Sequence, residues 1–251
     1  MEQMAPNLFI PGAARCGTTS LHAILGQHPD IHASLIKEPT YFNWPYQVIA
    51  SPFAYFQLFA SPKRYRLDAS ANYLASPRTP SVLRSLFPDA RFIVMLRHPK
   101  ARAYSLYRLM RYLGGEDITD FAEALKAEAS RRVSHDFFAS CRFDFWNYQY
   151  TRSSLYDEQL ARYFTAFDRE RFHITTLGEL SKEPIATTER ILRFLDLDPA
   201  PARHFNFDIK NRIEVNKPQF EAESDQLMSV AFEGLIERTD RLVGSTLDWS
   251  L

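Results

Sequence analysis

The run Gly12-Ala-Ala-Arg15-Cys16-Gly17-Thr18-Thr19-Ser20 gathers two of the chain's eight glycines, an arginine and three consecutive hydroxyl side chains. Glycine lets backbone come close to a ligand, and amides at the start of a helix point at an anion. The spacing G-x-x-x-x-G is that of a nucleotide phosphate loop, yet Thr18 stands where such a loop carries its lysine. A second segment, Arg97-His98-Pro-Lys-Ala-Arg102-Ala-Tyr-Ser105, offers the planar guanidinium fork that suits phosphate oxygens, and a hydroxyl eight residues later. Nucleotide hydrolysis also needs a carboxylate at the end of a neighbouring strand to help hold Mg2+. Here the apolar run Phe92 to Leu96 ends in Arg97, a cation. Both departures point to a phosphate-bearing ligand held by cations without a metal. Plainer readings stay open for each segment alone: a glycine turn packing helix on strand, and an ion pair closing a strand.

Such residues act together only if strands and helices deliver them to one place. Asn7 to Pro11 is a short apolar run that enters the glycine turn, and Thr18 to Gln27 has the apolar spacing of a helix. Further strands are expected at Ile31 to Ser34, Tyr65 to Asp68, Arg91 to Arg97 and Arg171 to Thr175. Helical patterns cover Ser81 to Phe87, Ala101 to Leu113, Phe121 to Ala129, Leu155 to Phe167, Ile185 to Leu195 and Gln226 to Val243. Alternation of this kind predicts an α/β fold with a P-loop-like central parallel sheet flanked by helices. No internal repeat or linker divides residues 1–251, so one domain is expected.

Composition narrows the partners. Thirty Lys and Arg balance thirty Asp and Glu, which excludes a broad basic field for nucleic acid. Two cysteines, Cys16 and Cys141, cannot build a disulfide framework, and the first twelve residues do not read as a signal peptide. A reducing, cytoplasmic setting without a transmembrane segment is therefore expected. His22, His28 and His32 do not share a helical face, because Pro29 interrupts them, so a zinc site has little support.

Taken together, the blocks resemble the sulfotransferases that use 3′-phosphoadenosine 5′-phosphosulfate (PAPS). Arg15-Cys-Gly-Thr-Thr-Ser20 is similar to the loop that binds the 5′-phosphosulfate, and Arg97 to Ser105 to the segment that binds the 3′-phosphate. The match is nearest to the heparan sulfate, or glycan, type. Lys37-Glu38-Pro39-Thr-Tyr-Phe42 resembles the base-bearing segment of that branch, and Asp68-Ala-Ser-Ala-Asn-Tyr73 its third block. Thr151-Arg-Ser-Ser-Leu-Tyr156, Ile191-Leu-Arg-Phe-Leu195 and the stretch from Leu242 to Trp249 follow it in order.

The resemblance implies in-line sulfuryl transfer to a hydroxyl or amine, with PAP as the leaving group and no metal. It assigns Glu38 as base and Arg15, with the Gly17 to Thr19 amides, as stabilisers of charge on the bridging oxygen. Cys16, Gly17, Thr18, Thr19 and Ser20 would line the phosphosulfate, Arg97 and Ser105 the 3′-phosphate, and Tyr156 the cofactor wall. Lys37, Phe42 and Trp44 would face the acceptor. Three departures stand out. Arg15 replaces the commoner lysine and so supplies charge without readily giving up its proton. Ala69 falls where glycan members often have a lysine. The C-terminal cofactor loop is poorly matched, with Asn211-Arg212 or Asn216-Lys217-Pro218 as its candidates. A phosphate-loop kinase or hydrolase, and a nucleotide-binding protein without turnover, remain the alternatives.

Eight aromatics fall in the nineteen residues from Tyr41 to Phe59, and seven in the fourteen from Phe137 to Tyr150. Phe53, Phe56 and Phe59 recur at helical spacing and are expected to bury a helix face. As a group the rings favour a small glycoside, glycolipid or aromatic-bearing metabolite as acceptor over a long polyanion.

Overall fold

The computed structural model describes residues 5–44, 46–208 and 220–250. Five parallel strands form one sheet: β1 (Leu8–Phe9), β2 (Ile31–Ala33), β3 (Tyr65–Asp68), β4 (Arg91–Leu96) and β5 (Phe172–Thr176), in the order β2-β3-β1-β4-β5. The helices are α1 (Thr18–Leu25), α2 (Pro52–Gln57), α3 (Thr79–Leu86), α4 (Pro99–Tyr112), α5 (Phe121–Val133), α6 (His135–Ser140), α7 (Tyr156–Ala166), α8 (Leu177–Lys182), α9 (Pro184–Phe194), α10 (Ala222–Ala231) and α11 (Leu235–Val243). The expected P-loop-like α/β fold is what the chain adopts.

Phe92 to Leu96 are wholly buried, as a strand covered on both faces requires. The rings of Phe9, Phe92 and Phe172 stack across β1, β4 and β5 with centroids 5.7 and 4.8 Å apart. This core continues into Leu21, Ile24 and Leu25 of α1 and Tyr156, Leu160 and Tyr163 of α7. A second cluster lies among α4, α5 and α10, built on Leu106, Met110, Leu125, Tyr148, Tyr150 and Met228. Helix α4 links the two: it starts at the end of β4 and carries its apolar face into the second cluster.

The chain leaves β1 for β2 and β3 on one side, then crosses to β4 and β5 on the other. Strand order therefore reverses at β1, and in open α/β sheets the crevice beyond the strand ends at such a point receives ligands. The loops after β1 and β4 open there.

Two expectations are corrected. Gln226 to Val243 is not one helix: α10 and α11 are separated by Phe232–Gly234, where Gly234 adopts a left-handed φ of 63°. A residue without Cβ takes that conformation cheaply, so the chain turns there. Phe53 does not face the core with Phe59. It is 74% exposed, and α2 buries Tyr55 instead.

Candidate active site

The loop after β1 is pinned on both sides before it reaches α1. Ile10 N–H donates to Asp68 O at 2.8 Å, Leu74 N–H to Pro11 O at 2.7 Å, Met95 N–H to Gly12 O at 2.8 Å and Ala13 N–H to Met95 O at 2.7 Å. A Cβ on Gly12 would lie 2.6 Å from Leu74 Cβ and 2.8 Å from Ala71 O, so the close approach excludes any larger residue. Gly17 caps α1 with φ 86°, and a Cβ there would lie 2.8 Å from Leu177 Cδ1. It brings no capping side chain. Among the described residues the amides of Gly17, Thr18, Thr19 and Ser20 meet no acceptor, and they add to the positive end of the helix. Thr18 and Ser20 are buried beneath the loop and Thr19 is exposed.

Three arginines surround this cradle. Arg15 has a left-handed φ of 70°, and its Nε donates to Ser105 Oγ at 3.1 Å. Arg97 follows the last residue of β4. Arg102 is fully buried on α4: its Nε donates to Ala14 O at 3.0 Å, and its Nη1 to Ser153 Oγ at 2.6 Å and Ser154 Oγ at 3.0 Å. Burial, and then the Arg97 guanidinium, hold Arg15 below the usual arginine value, while Glu38 pulls the other way. Burial lowers Arg102 as well. Among the described residues no carboxylate forms an ion pair with Arg15, Arg97 or Arg102. Positive charge kept in one place without a counterion is what an anion site requires.

Cys16 and Tyr156 support the loop from behind. Cys16 is fully buried, 3.8 Å from Tyr156 Oη, and burial raises its thiol above the usual value, so it is a small filler and not a nucleophile. Tyr156, expected in the cofactor wall, is also fully buried; its hydroxyl donates to Arg97 O at 2.9 Å. It fixes the backbone beneath Arg97 and lines no open surface. Lys217 and its neighbours Asn211, Arg212 and Asn216 lie outside the described residues.

The segment after β2 carries Lys37 and Glu38, which form an ion pair. Glu38 has φ 60° and Thr40 φ 49°, left-handed conformations that a non-glycine residue keeps only when its surroundings impose them. Those surroundings begin at Asp68, the buried last residue of β3. It accepts from Ser70 Oγ at 2.7 Å, Tyr55 Oη at 2.8 Å and Tyr73 Oη at 3.3 Å. Ser70 Oγ in turn accepts from Thr40 N–H at 3.0 Å, and Tyr73 Oη from Phe42 N–H at 3.2 Å. Burial raises the Asp68 carboxyl to about 6, against which those three hydroxyls stabilise its ionised form. Phe42 packs edge-on against Tyr41, Tyr55 and Phe87, whereas Trp44 is 71% exposed. Ala69, in place of the lysine, is buried.

The sequence assigns Arg15 to one phosphate segment and Arg97 and Ser105 to another; the structure brings the two segments into contact through Arg15 and Ser105, and Arg15 is close enough to Arg97 and Glu38 to feel their charges. Sequence reading missed Arg102 as the tie between loop and α4, and Asp68 as the anchor of the Glu38 segment. Residues 5–232 match the model of the sulfotransferase domain. The chain is 22% identical over 208 residues to heparan sulfate glucosamine 3-O-sulfotransferase 5 of Mus musculus, covering 79% of this chain and 56% of that protein. It is 25% identical over 199 residues to the bifunctional heparan sulfate N-deacetylase/N-sulfotransferase 1 of Homo sapiens, covering 76% of this chain and 22% of that one. It thus spans about a half or less of these relatives. Among solved structures, a sulfotransferase from Alicyclobacillus acidocaldarius superposes with a TM-score of 0.79 at 27% identity, covering 96% of each chain. The sulfotransferase domain of the Synechococcus PCC 7002 olefin synthase shares the fold, with a TM-score of 0.55 at 18% identity over 96% of this chain and 94% of that one. With phosphate loop, arginine cluster and family match in agreement, the chain belongs to the sulfotransferase family.

Proposed function

We propose that the protein transfers a sulfuryl group from PAPS to a hydroxyl or amine of an acceptor that joins a small sugar or polar head to an apolar group. The observation that carries this reading is the cradle itself: four helix-start amides without acceptors and three arginines without carboxylate partners among the described residues, gathered at the sheet's switch point. Metal-dependent nucleotide chemistry fits it poorly, since a cation, Arg97, follows the strand where a Mg2+-binding carboxylate is needed.

In this reading the acceptor oxygen or nitrogen forms a bond to sulfur while the bond from sulfur to the bridging phosphate oxygen breaks. The electron pair stays on departing PAP, and the acceptor's proton passes to Glu38. Arg15 and the Gly17 to Thr19 amides stabilise charge on the bridging oxygen. Arg97 and Ser105 hold the 3′-phosphate, and Arg15 already reaches Ser105, which ties the two phosphate ends together. Lys37 forms an ion pair with Glu38 and steadies its carboxylate within the loop.

The heparan sulfate relatives favour a glycan as the acceptor's polar part. Its apolar part follows from the surroundings of Glu38. Leu35 is 94% exposed, and Ile36, Trp44, Val48 and Phe53 are exposed on the same segment. Its only charged residues between positions 35 and 53 are Lys37 and Glu38, paired with each other. Exposed apolar side chains so near Glu38 in sequence support an acceptor whose attached group is apolar. A series of alkyl glycosides tests this. With PAPS as donor, KM should fall by up to about fourfold per added methylene until the surface is covered. Leu35→Ser and Phe53→Ser should flatten the series. Transfer that ignores chain length, or that prefers a sulfated polysaccharide, would remove the apolar acceptor.

A further inference from the structure

A second buried carboxylate lies on the other side of the Glu38 segment. Asp144 sits in the loop after α6, just before a short 3-10 turn at Phe145–Tyr148. It is buried, and its carboxylate accepts from Asn43 Nδ2, from Asn72 Nδ2 at 2.8 Å and from Trp146 N–H at 3.2 Å. Asn72 Nδ2 also reaches Asn147 Oδ1 at 3.1 Å. The donors come from three separate segments: Asn43 from the Glu38 loop, Asn72 from the turn after β3, and Trp146 from the aromatic run. No cation pairs with Asp144 among the described residues.

Burying an unpaired carboxylate is costly, and a neutral or apolar residue would fill the same space at lower cost. What the carboxylate adds is orientation. As an acceptor alone, it obliges both asparagine side chains to turn their amino groups towards it. Asn43 N–H donates to Thr40 O at 3.1 Å and closes the turn that follows the left-handed Glu38 and Thr40. Asp68 grips the same turn from the sheet side through Ser70 and Tyr73. The loop is thereby held from two directions.

We propose that Asp144 is a positioning residue for sulfuryl transfer: through Asn43 and Asn72 its carboxylate fixes the Glu38 loop against the aromatic segment and sets where the acceptor meets the base. The inference rests on Glu38 as base. The charged and titratable groups that face Asp144 are Glu38 and Tyr46 on the base loop and Cys141 on its own segment, with Lys37 held by Glu38. Burial, and beyond it the nearby Glu38, raise the Asp144 carboxyl to about 6. Below that pH it gains a proton and one acceptor oxygen becomes a donor: on Oδ2, which both asparagines share, this weakens their hold, and on Oδ1 it competes with Trp146 N–H. Turnover then falls on the acid side through the ionisation of Asp144.

The test compares wild type, Asp144→Asn, Asn43→Asp/Asp144→Asn and Glu38→Gln with PAPS and one good acceptor. A shift of the loop by a fraction of an ångström is expected to lower kcat of Asp144→Asn roughly 10- to 100-fold, with PAP affinity held within about twofold. Its acid limb near pH 6 should flatten. The double variant restores one carboxylate facing one amide across the same contact, and should recover most of kcat. Wild-type kcat and an unchanged acid limb in Asp144→Asn would overturn the proposal, as would a loss shared equally by PAP affinity or a double variant no better than the single. Full activity in Glu38→Gln would remove the base reading instead, and an inactive wild type would remove both.

Discussion

Among the described residues, three arginines crowd together around the phosphate loop without a carboxylate to pair with, and around the Glu38 loop two carboxylates, Asp68 and Asp144, are buried without a cation. The two ends of the site are satisfied differently. Asp68 and Asp144 have their donors inside the fold, five hydroxyl and amide side chains and one backbone amide. Arg15 meets only the hydroxyl of Ser105, and the helix-start amides meet nothing among the described residues. Under the proposed function the donor end is where a ligand would supply the partners, whereas the network around Asp68 and Asp144 holds the loop of Glu38, whose left-handed conformation a non-glycine residue keeps only when its surroundings impose it. On that proposal, binding energy and catalytic geometry come from opposite ends of the same crevice.

The strongest way to break this contrast is to remove the proposed base. Glu38→Gln should lower kcat by about 10^2- to 10^4-fold while leaving PAP affinity unchanged, because proton acceptance is lost and the cradle is untouched. Steady-state rates beside a PAP titration read both quantities. A fall in PAP affinity matching the fall in kcat would mean the two ends are not separable. At the donor end, Arg97→Ala should weaken PAP roughly 10- to 100-fold and adenosine 5′-phosphate far less, the loss expected of charge-assisted hydrogen bonds to one phosphate. Equal losses for the two nucleotides would take Arg97 away from the 3′-phosphate.

The smallest effect concerns pH and stability. Burial raises Asp68 and Asp144 from an ordinary 3.8 to about 6, so between those values the folded chain holds more protons than the unfolded one. Their contribution to stability falls as pH rises through that window. His22 and His173 are lowered by burial from 6.5 to about 4, so there the unfolded chain holds the extra protons. Their contribution rises with pH over nearly the same range. The opposed pairs predict a wild-type Tm with little net slope from these four groups between about pH 4 and 6. Replacing Asp68 with Asn should leave the histidine effect less opposed, so that Tm climbs more steeply with pH in scanning calorimetry. A variant with the wild-type slope would show that Asp68 does not titrate there.

The contrast also explains what the sequence made legible. The donor end is written contiguously, in residues 12–20 and 97–105, and its strands are apolar runs bounded by Pro, Gly or charge, so both motif and element could be read. The parallel strands were placed to within a residue or two because β4 is buried on both faces and shows no competing helical period. The acceptor end depends on Asn43, Asn72 and Asp144, about thirty and seventy residues apart, and no spacing rule joins them. Tyr55 displaced Phe53 from the buried face of α2 because its hydroxyl has a partner in Asp68, which helical periodicity cannot see. Some signals were present and unused. Thr176 and Glu179 form a capping box that starts α8, and Gly234 marks the break between α10 and α11.

The central claim is that the crevice at the switch point was built for PAP and its phosphosulfate, and a calorimetric titration tests it most directly. Without divalent metal, PAP should bind tightly, adenosine 5′-phosphate more weakly, and ATP–Mg2+ no better than adenosine 5′-phosphate. Tight binding of ATP–Mg2+ with no heat from PAP would contradict the account.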